Sequence, residues 1–334
     1  MKNQQYVIKS FSKNIDEATD IIESELRSLR KDEVLVRNAY VGINAVYDRE
    51  LYSGKVPYID VKFPYTMGVE SVGTIIEVGD ASNNNLIGKH TTFVKVGSAY
   101  QEYQYINQKD VITIPEASPS YLTINPTGIS ADIALKYTAE LKEKETVVIS
   151  AAAGGLGHIL VQLCKMKKCH VVAICGGDRK KKMLQSLNCC DRIIDYKSES
   201  INDIINKNYN NKINVGIDSV GRGIFDILLN NLNTQGRLVV IGLAAELAEE
   251  GFEVISQPRV YESIYWKGAS VRCFMNHLYK EKHRDSRLKL QELYEDKKLQ
   301  IRIDQSQFFG IESIKEASKY LLSGKSCGKV VVKL

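Results

Sequence analysis

The stretch SAAAGGLGHILVQLCK, residues 150–165, follows the apolar run TVVIS and sets Gly154, Gly155 and Gly157 just ahead of an amphipathic pattern. Strand, glycine turn and helix in that order suit a dinucleotide pyrophosphate, because a helix N-terminus offers unpaired N–H groups and the positive end of its dipole. Ala152, Gly154 and Gly157 fill the slots of G-x-G-x-x-G, with alanine in the first. Gly154 lets backbone approach the phosphates, and Gly157 lets the helix press on a sheet. A ligand-free β-to-α turn could carry the same letters. The expected helix adds an apolar face of Leu156, Ile159, Leu160, Leu163 and Met166, as packing on a sheet requires. About 20 residues on, an acid would bind the ribose 2′-hydroxyl of NAD. The next strand, VVAIC, ends instead in GGDRKKK. Cys175, Gly176 and Gly177 are not acidic, Asp178 comes late, and Arg179, Lys180, Lys181 and Lys182 follow it. A solvated basic helix start is one reading of this run. The other is a seat for a 2′-phosphate, to which each charge-assisted hydrogen bond is worth about 1.5 to 3 kcal/mol. NADP(H) is the expected cofactor.

Such turns need a parallel sheet. From residue 146 onward, short apolar strands alternate with helical patterns, the signature of stacked βαβ units. The expected strands are 146–150, 170–175, 192–195, 215–219, 237–242 and 270–274. Residues 33–79 differ: apolar positions alternate in short runs broken by Gly and Pro, as in EVLVRNAYVGI and VESVGTIIEVG, a β-rich texture. After 274 a charged helix over 279–298 leads to GKVVVKL, a strand expected to return to the first domain. The class is therefore α/β. Its parts are a β-rich domain over 1–124, a doubly wound dinucleotide domain over 125–275 and a return over 276–334. Asparagine-rich runs at 83–85 and 206–214 read as exposed loop swellings.

A chain of 334 residues exceeds what one core supports. Its 44% hydrophobic and 25% charged content is that of an ordinary globular protein. The 45 basic and 40 acidic residues leave a net +5 spread along the chain, which speaks against nucleic-acid binding. No apolar run approaches the ~20 residues of a membrane span. MKNQQYVIKS lacks a signal peptide's apolar segment, and the final VKL lacks the small residue of a peroxisomal signal, so a cytoplasmic protein is expected. The seven cysteines show no framework spacing and read as reduced thiols; none falls in the first 160 residues.

The order of domains, with A-x-x-G-x-x-G at Ala151, Gly154 and Gly157, resembles the medium-chain dehydrogenase/reductase superfamily. The segments VGINAVYD, YSGKVPY, MGVESVGTIIEVG, GSAYQEYQYI, SLNCCDRIIDYKSE, GRLVVIG and SGKSCGKVVVKL look like its quinone oxidoreductase and prostaglandin reductase branch. The resemblance implies a GroES-like catalytic domain joined to a Rossmann NADP-binding domain. It also implies where zinc would sit in metal-dependent members: on a Cys where Asn44 stands, and on a His where Val69 stands, in Gly68-Val69-Glu70. Asn is a poor zinc ligand and Val is none, so no metal is expected. Without a Lewis acid, hydride must go to a substrate that is already electrophilic. The resemblance implies an α,β-unsaturated ketone or aldehyde, with 15-oxo-prostaglandin-like enones included, reduced at its carbon–carbon double bond. Alternatives are a quinone reductase and a non-catalytic, crystallin-like NADPH-binding protein. The implied donors to the forming enolate oxygen are Asn44, Tyr52 and Ser130, with Tyr47 or Tyr58 as substitutes for Tyr52. The implied cofactor residues are Ala151, Gly154, Gly155, Leu156, Gly157, Gly176, Lys180, Tyr196, Gly242, Leu243, Phe274, Asn276 and Ser326. Lys180 and Tyr196 would face the 2′-phosphate, and Phe274 and Asn276 the carboxamide. Asp132 replaces a family Tyr, and Glu70 keeps a family acid with no role beyond structure. The family further implies a homodimer paired through strand six, VRCF. The substrate-lining loop 245–258 carries no readable code.

Overall fold

The computed structural model describes residues 2–246 and 259–334; of the loop expected to line the substrate, residues 247–258 lie outside the described residues. The chain divides into two units, Met1–Pro126 with Ile303–Leu334, and Thr127–Arg302.

Unit 1 is β-rich. Its strands are β1 (Lys2–Ile8), β2 (Thr19–Glu25), β3 (Glu33–Gly42), β4 (Tyr65–Thr66), β5 (Glu70–Val78), β6 (His90–Val94), β7 (Tyr103–Asn107) and β8 (Ile112–Ile114). Six further strands belong to unit 2, and β15 (Val331–Lys333) closes the chain. β15 lies antiparallel to β3, Val332 opposite Val41, so the tail does return to the first unit. Among the described residues the larger sheet runs β15-β3-β5-β6-β8 with β7 also on β3, and a smaller one runs β2-β1-β4. All these pairings are antiparallel. The core joins Ile8, Val41, Ile43, Leu51, Met67 and Tyr100 to Val330 and Val332 from the tail.

Unit 2 holds β9 (Thr146–Ile149), β10 (His170–Cys175), β11 (Arg192–Asp195), β12 (Ile213–Asp218), β13 (Leu232–Val240) and β14 (Ser270–Cys273). They form one parallel sheet in the order β11-β10-β9-β12-β13-β14, with helices between successive strands. Val147, Val148 and Ile149 are each fully buried, as expected of a central strand covered on both faces. The helix Gly157–Met166 is buried from Gly157 through Cys164, so it is enclosed rather than merely amphipathic, and Met166, expected on its apolar face, is exposed.

Two further expectations change. The return expected at 276 comes at 303: Asn276 Nδ2 donates to Ser130 Oγ (2.5 Å) and Lys289 Nζ to Asp132 Oδ1 (2.6 Å), both within unit 2. The run 206–214 is an exposed turn only at 210–212. It spans the end of the helix Ile201–Tyr209 and the start of β12, where Asn206 accepts from buried Asn231 (2.9 Å) and Asn214 accepts from Thr146 N–H (2.9 Å). The seven cysteines are free thiols. No helix among the described residues is long and apolar enough to cross a membrane.

Candidate active site

In unit 2 the glycine turn leaves β9 through Ala151, whose φ of 47° lies in the left-handed region. Gly154 N–H then donates to Ala151 O (2.9 Å). A Cβ on Gly157 would overlap the Ala151 carbonyl and come 2.6 Å from Ala152 Cα, so only glycine lets the helix begin so close to the turn. The N–H groups of His158 and Ile159 already donate to Gly154 O (3.2 Å) and Leu156 O (3.1 Å), so those of Gly155, Leu156 and Gly157 are the ones a pyrophosphate would take. Gly155 and Leu156 lie within this turn, before the helix starts. Behind it sits fully buried His158. Nε2 accepts from Arg302 N–H (3.0 Å), which leaves the proton on Nδ1 to donate to Gly154 O (2.9 Å). Burial lowers its pKa to about 4, so the ring is a neutral brace for the turn.

At the tip of β10 the chain passes through Gly176 and Gly177. Tyr196, half-exposed, lays its ring over Gly176, where a Cβ would overlap it. Asp178 pairs with Lys182 (2.7 Å) one helical turn on. Asp195, at the end of β11, accepts from Gly177 N–H (2.6 Å) and Lys197 N–H (3.1 Å), and these donors hold its carboxyl below the usual range. One oxygen of each acid is engaged in this way, Oδ2 of Asp178 and Oδ1 of Asp195. Lys180 belongs to the same helix, Asp178–Leu187, as Arg179. Gly242 follows β13, its N–H on Asp218 O (3.3 Å), with Leu243 next in the chain. The Asp218 carboxylate accepts from Ser150 Oγ (2.7 Å) and from Val220 and Gly221 N–H (2.9 and 3.0 Å), fixing the turn beside it.

Ser130 and Asn276, 146 residues apart, come together here: Asn276 Nδ2 donates to Ser130 Oγ, while the buried Asn276 Oδ1 has no partner. That orphaned acceptor is a fit for an amide N–H₂ such as a nicotinamide carboxamide. Phe274 is stacked on Tyr279 (5.9 Å between ring centroids), which stacks in turn on Tyr137 (6.1 Å).

In unit 1 Asn44 precedes the helix Ala45–Tyr52. Its Nδ2 donates to Glu70 Oε2 (2.8 Å) and its Oδ1 accepts from Lys329 Nζ (2.9 Å). Lys329 Nζ also lies 2.6 Å from Glu70 Oε1 and donates to Ile43 O (3.1 Å). Glu70 is fully buried and Lys329 is 4% exposed. Gly42 makes this possible, since a Cβ there would run into the Glu70 carboxylate. Lys329 escaped the sequence reading; its signal was a G-K pair just before the last apolar strand, facing an acid far away in the chain. Asp48, equally buried, accepts from Tyr100 OH (2.6 Å), and burial pushes its pKa up to about 7. Tyr52 is 4% exposed and packs in the core cluster with Leu51 and Met67. Tyr47 has a buried hydroxyl; burial and then the Tyr58 hydroxyl raise its pKa, so it stays a protonated phenol. Ser326 is buried in the segment before Lys329, where Asp304 accepts from Cys327 N–H (2.5 Å).

This donor set does not fit zinc. Val69 offers no ligand, Asn44 a weak one, and both oxygens of Glu70 are engaged, one by an ammonium that would repel a second cation. Among the described residues no group of three or more His, Cys, Asp or Glu could hold a metal ion.

Comparison with known proteins gives two family matches: an alcohol dehydrogenase GroES-like domain over residues 30–116 and a zinc-binding dehydrogenase over 155–285. Prostaglandin reductase-3 of Mus musculus is 33% identical over 340 residues, covering 99% of this chain and 89% of that protein. A probable quinone oxidoreductase of Leishmania amazonensis is 26% identical, covering 98% of this chain and 96% of its own length. The crystal structure of CurA in complex with NADPH from Vibrio vulnificus superposes with a TM-score of 0.84 at 23% identity, covering 99% of this chain and 98% of that one.

Proposed function

The chain belongs to the medium-chain dehydrogenase/reductase superfamily as an NADP(H)-dependent oxidoreductase, and on that premise we propose that it reduces the carbon–carbon double bond of α,β-unsaturated ketones or aldehydes without zinc. The observation that carries this reading is the Asn44–Glu70–Lys329 arrangement, in which an amide held by two buried charges stands where a Lewis acid would be needed to oxidise an alcohol. Bound NADPH supplies the hydride. The glycine turn 154–157 takes the pyrophosphate, Lys180 and Tyr196 take the 2′-phosphate, and the unpaired Asn276 Oδ1 takes the carboxamide. Hydride addition at the β-carbon of an enone moves charge onto its carbonyl oxygen, where hydrogen-bond donors stabilise the enolate. Asn44 supplies one N–H. The Ser130 hydroxyl, already accepting from Asn276, keeps its own hydrogen to donate. The ring of Tyr52 is committed to the core of unit 1, which speaks against it as a donor. The α-carbon then takes a proton from solvent or a hydroxyl.

The quinone oxidoreductase relative supports a second reading, quinone reduction with the same cofactor. The test is a panel of enones, alkenals, 15-oxo-prostaglandins and ortho-quinones, scored by NADPH loss with the purified protein. Enone turnover above quinone turnover is expected. Turnover of quinones alone would establish the second reading, and NADPH binding with no electrophile consumed would make the chain a non-catalytic binding protein.

A further inference from the structure

A lysine almost wholly removed from water needs a physical reason, since such charges persist only when paired and fully hydrogen-bonded. Lys329 is held by an ion pair with Glu70 Oε1 (2.6 Å) and by hydrogen bonds to Asn44 Oδ1 (2.9 Å) and Ile43 O (3.1 Å). The second Glu70 oxygen accepts from Asn44 Nδ2 (2.8 Å). The three side chains thus close a ring, and turning the Asn44 amide over would set its N–H₂ against the ammonium and its carbonyl against the carboxylate. Glu70 and Lys329 are buried, whereas Asn44 is only half-buried, so the amide is the face the ring presents outward. Of its two N–H hydrogens one is committed to Glu70. Nδ2 also donates to Gly42 O at 3.5 Å, the limit of a hydrogen bond.

We propose that Lys329 is a positioning residue: its ammonium fixes the orientation of the Asn44 amide and, by drawing electron density from Oδ1, strengthens the outward N–H as a donor to a substrate oxygen. The proposal rests on the reductase reading above for what that oxygen is, a carbonyl that gains charge as hydride arrives. The orientation of the amide does not depend on that reading.

Lys329→Met alone strands the Glu70 charge, so the decisive variant is Lys329→Met with Glu70→Gln, which removes both charges together. Lys329→Arg is the conservative control. With the enone that the wild type reduces best, the double variant should lose about 10- to 100-fold in kcat while KM and the NADPH dissociation constant stay within about twofold. Lys329→Arg should retain part of that kcat. A folded double variant with wild-type kcat overturns the proposal, as does an equal loss of NADPH affinity. The orientation is read separately from the Asn44 side-chain amide by ¹⁵N NMR, assigned by its absence in Asn44→Asp. The wild type should show two widely separated, slowly exchanging protons, and the double variant a pair like those of an exposed asparagine. An Asn44 pair that is the same in both proteins refutes the proposal whatever the substrate. A wild type inert to every electrophile, with the NMR change present, refutes the reductase reading and leaves the positioning intact.

Discussion

Replacing Asp48 by Asn should remove a pH dependence of stability that runs opposite to the usual one for a carboxylate. Asp48 is 1% exposed, its Oδ2 accepts from Tyr100 OH, its Oδ1 has no partner, and the Glu70 carboxylate is near. Burial above all moves its pKa from 3.8 to about 7. Between those values the folded chain keeps a proton that the unfolded chain has released, so each pH unit upward costs about 1.4 kcal/mol of stability. Below the lower value both states hold the proton, and above the upper one both have lost it; the whole span is worth about 4 kcal/mol. His158 runs the other way. Its folded pKa is lowered from 6.5 to about 4, so it adds stability as pH rises across that interval and masks part of the Asp48 effect. The quantity to follow is therefore the difference between wild type and Asp48→Asn, in which the His158 contribution cancels. Asn keeps an acceptor for Tyr100 and carries no charge. Urea-dependent hydrogen exchange over β3 and β5, at several pH values from 5 to 8, reports unit 1 directly. The wild type should lose about 3 kcal/mol relative to the variant across that range. Parallel pH curves would show that Asp48 is ionised throughout and would refute the reasoning.

Lys180→Ala should weaken NADPH binding by about 1.5 to 3 kcal/mol, roughly 10- to 150-fold, and barely touch NADH; equal losses in titrations of both cofactors would mark the lysine as a solvated surface charge. Gly157→Ala drives a Cβ into backbone that cannot rotate away, so unit 2 should lose about 1 to 3 kcal/mol and NADPH affinity should fall; unchanged melting and affinity would count against the phosphate turn. Metal analysis should find no stoichiometric zinc and chelators should leave activity unchanged, whereas one bound metal per chain would overturn the zinc-free reading. β14 ends its sheet with Val271 exposed, and Tyr265 and Trp266 are 71% and 82% exposed, so a homodimer is expected; a monomeric mass by sedimentation at micromolar concentration would refute it.

The parallel sheet was legible because its strands are short β-branched runs whose composition announces burial on both faces, as with Val147, Val148 and Ile149. The glycine turn was legible because its chemistry is local: four residues set both the close approach and the open N–H groups. Lys329 was not, since its meaning depends on Asn44, 285 residues away, and on Glu70 in another strand. The Ser130–Asn276 bond, spanning 146 residues, was likewise invisible as a pair although both residues were singled out. Composition located the exposed turn at 210–212 but overextended it, since Asn206 and Asn214 lie in a helix and a strand and accept hydrogen bonds from Asn231 and Thr146 in separate elements.

Unit 1 is discontinuous: β3 and Glu70 emerge before unit 2 in synthesis, but β15 and Lys329 emerge after it. On the ribosome, unit 2 is a continuous stretch that can fold as soon as it is exposed, whereas the first 126 residues wait for an edge strand and for the only ammonium beside Glu70 among the described residues. A chain stopped before residue 329 would hold a complete parallel sheet together with a β-rich unit in which buried Glu70 lacks its ammonium partner. The nascent chain can therefore complete its parallel sheet well before its β-rich unit closes, and a cell's quality control would meet truncated products as half-built molecules.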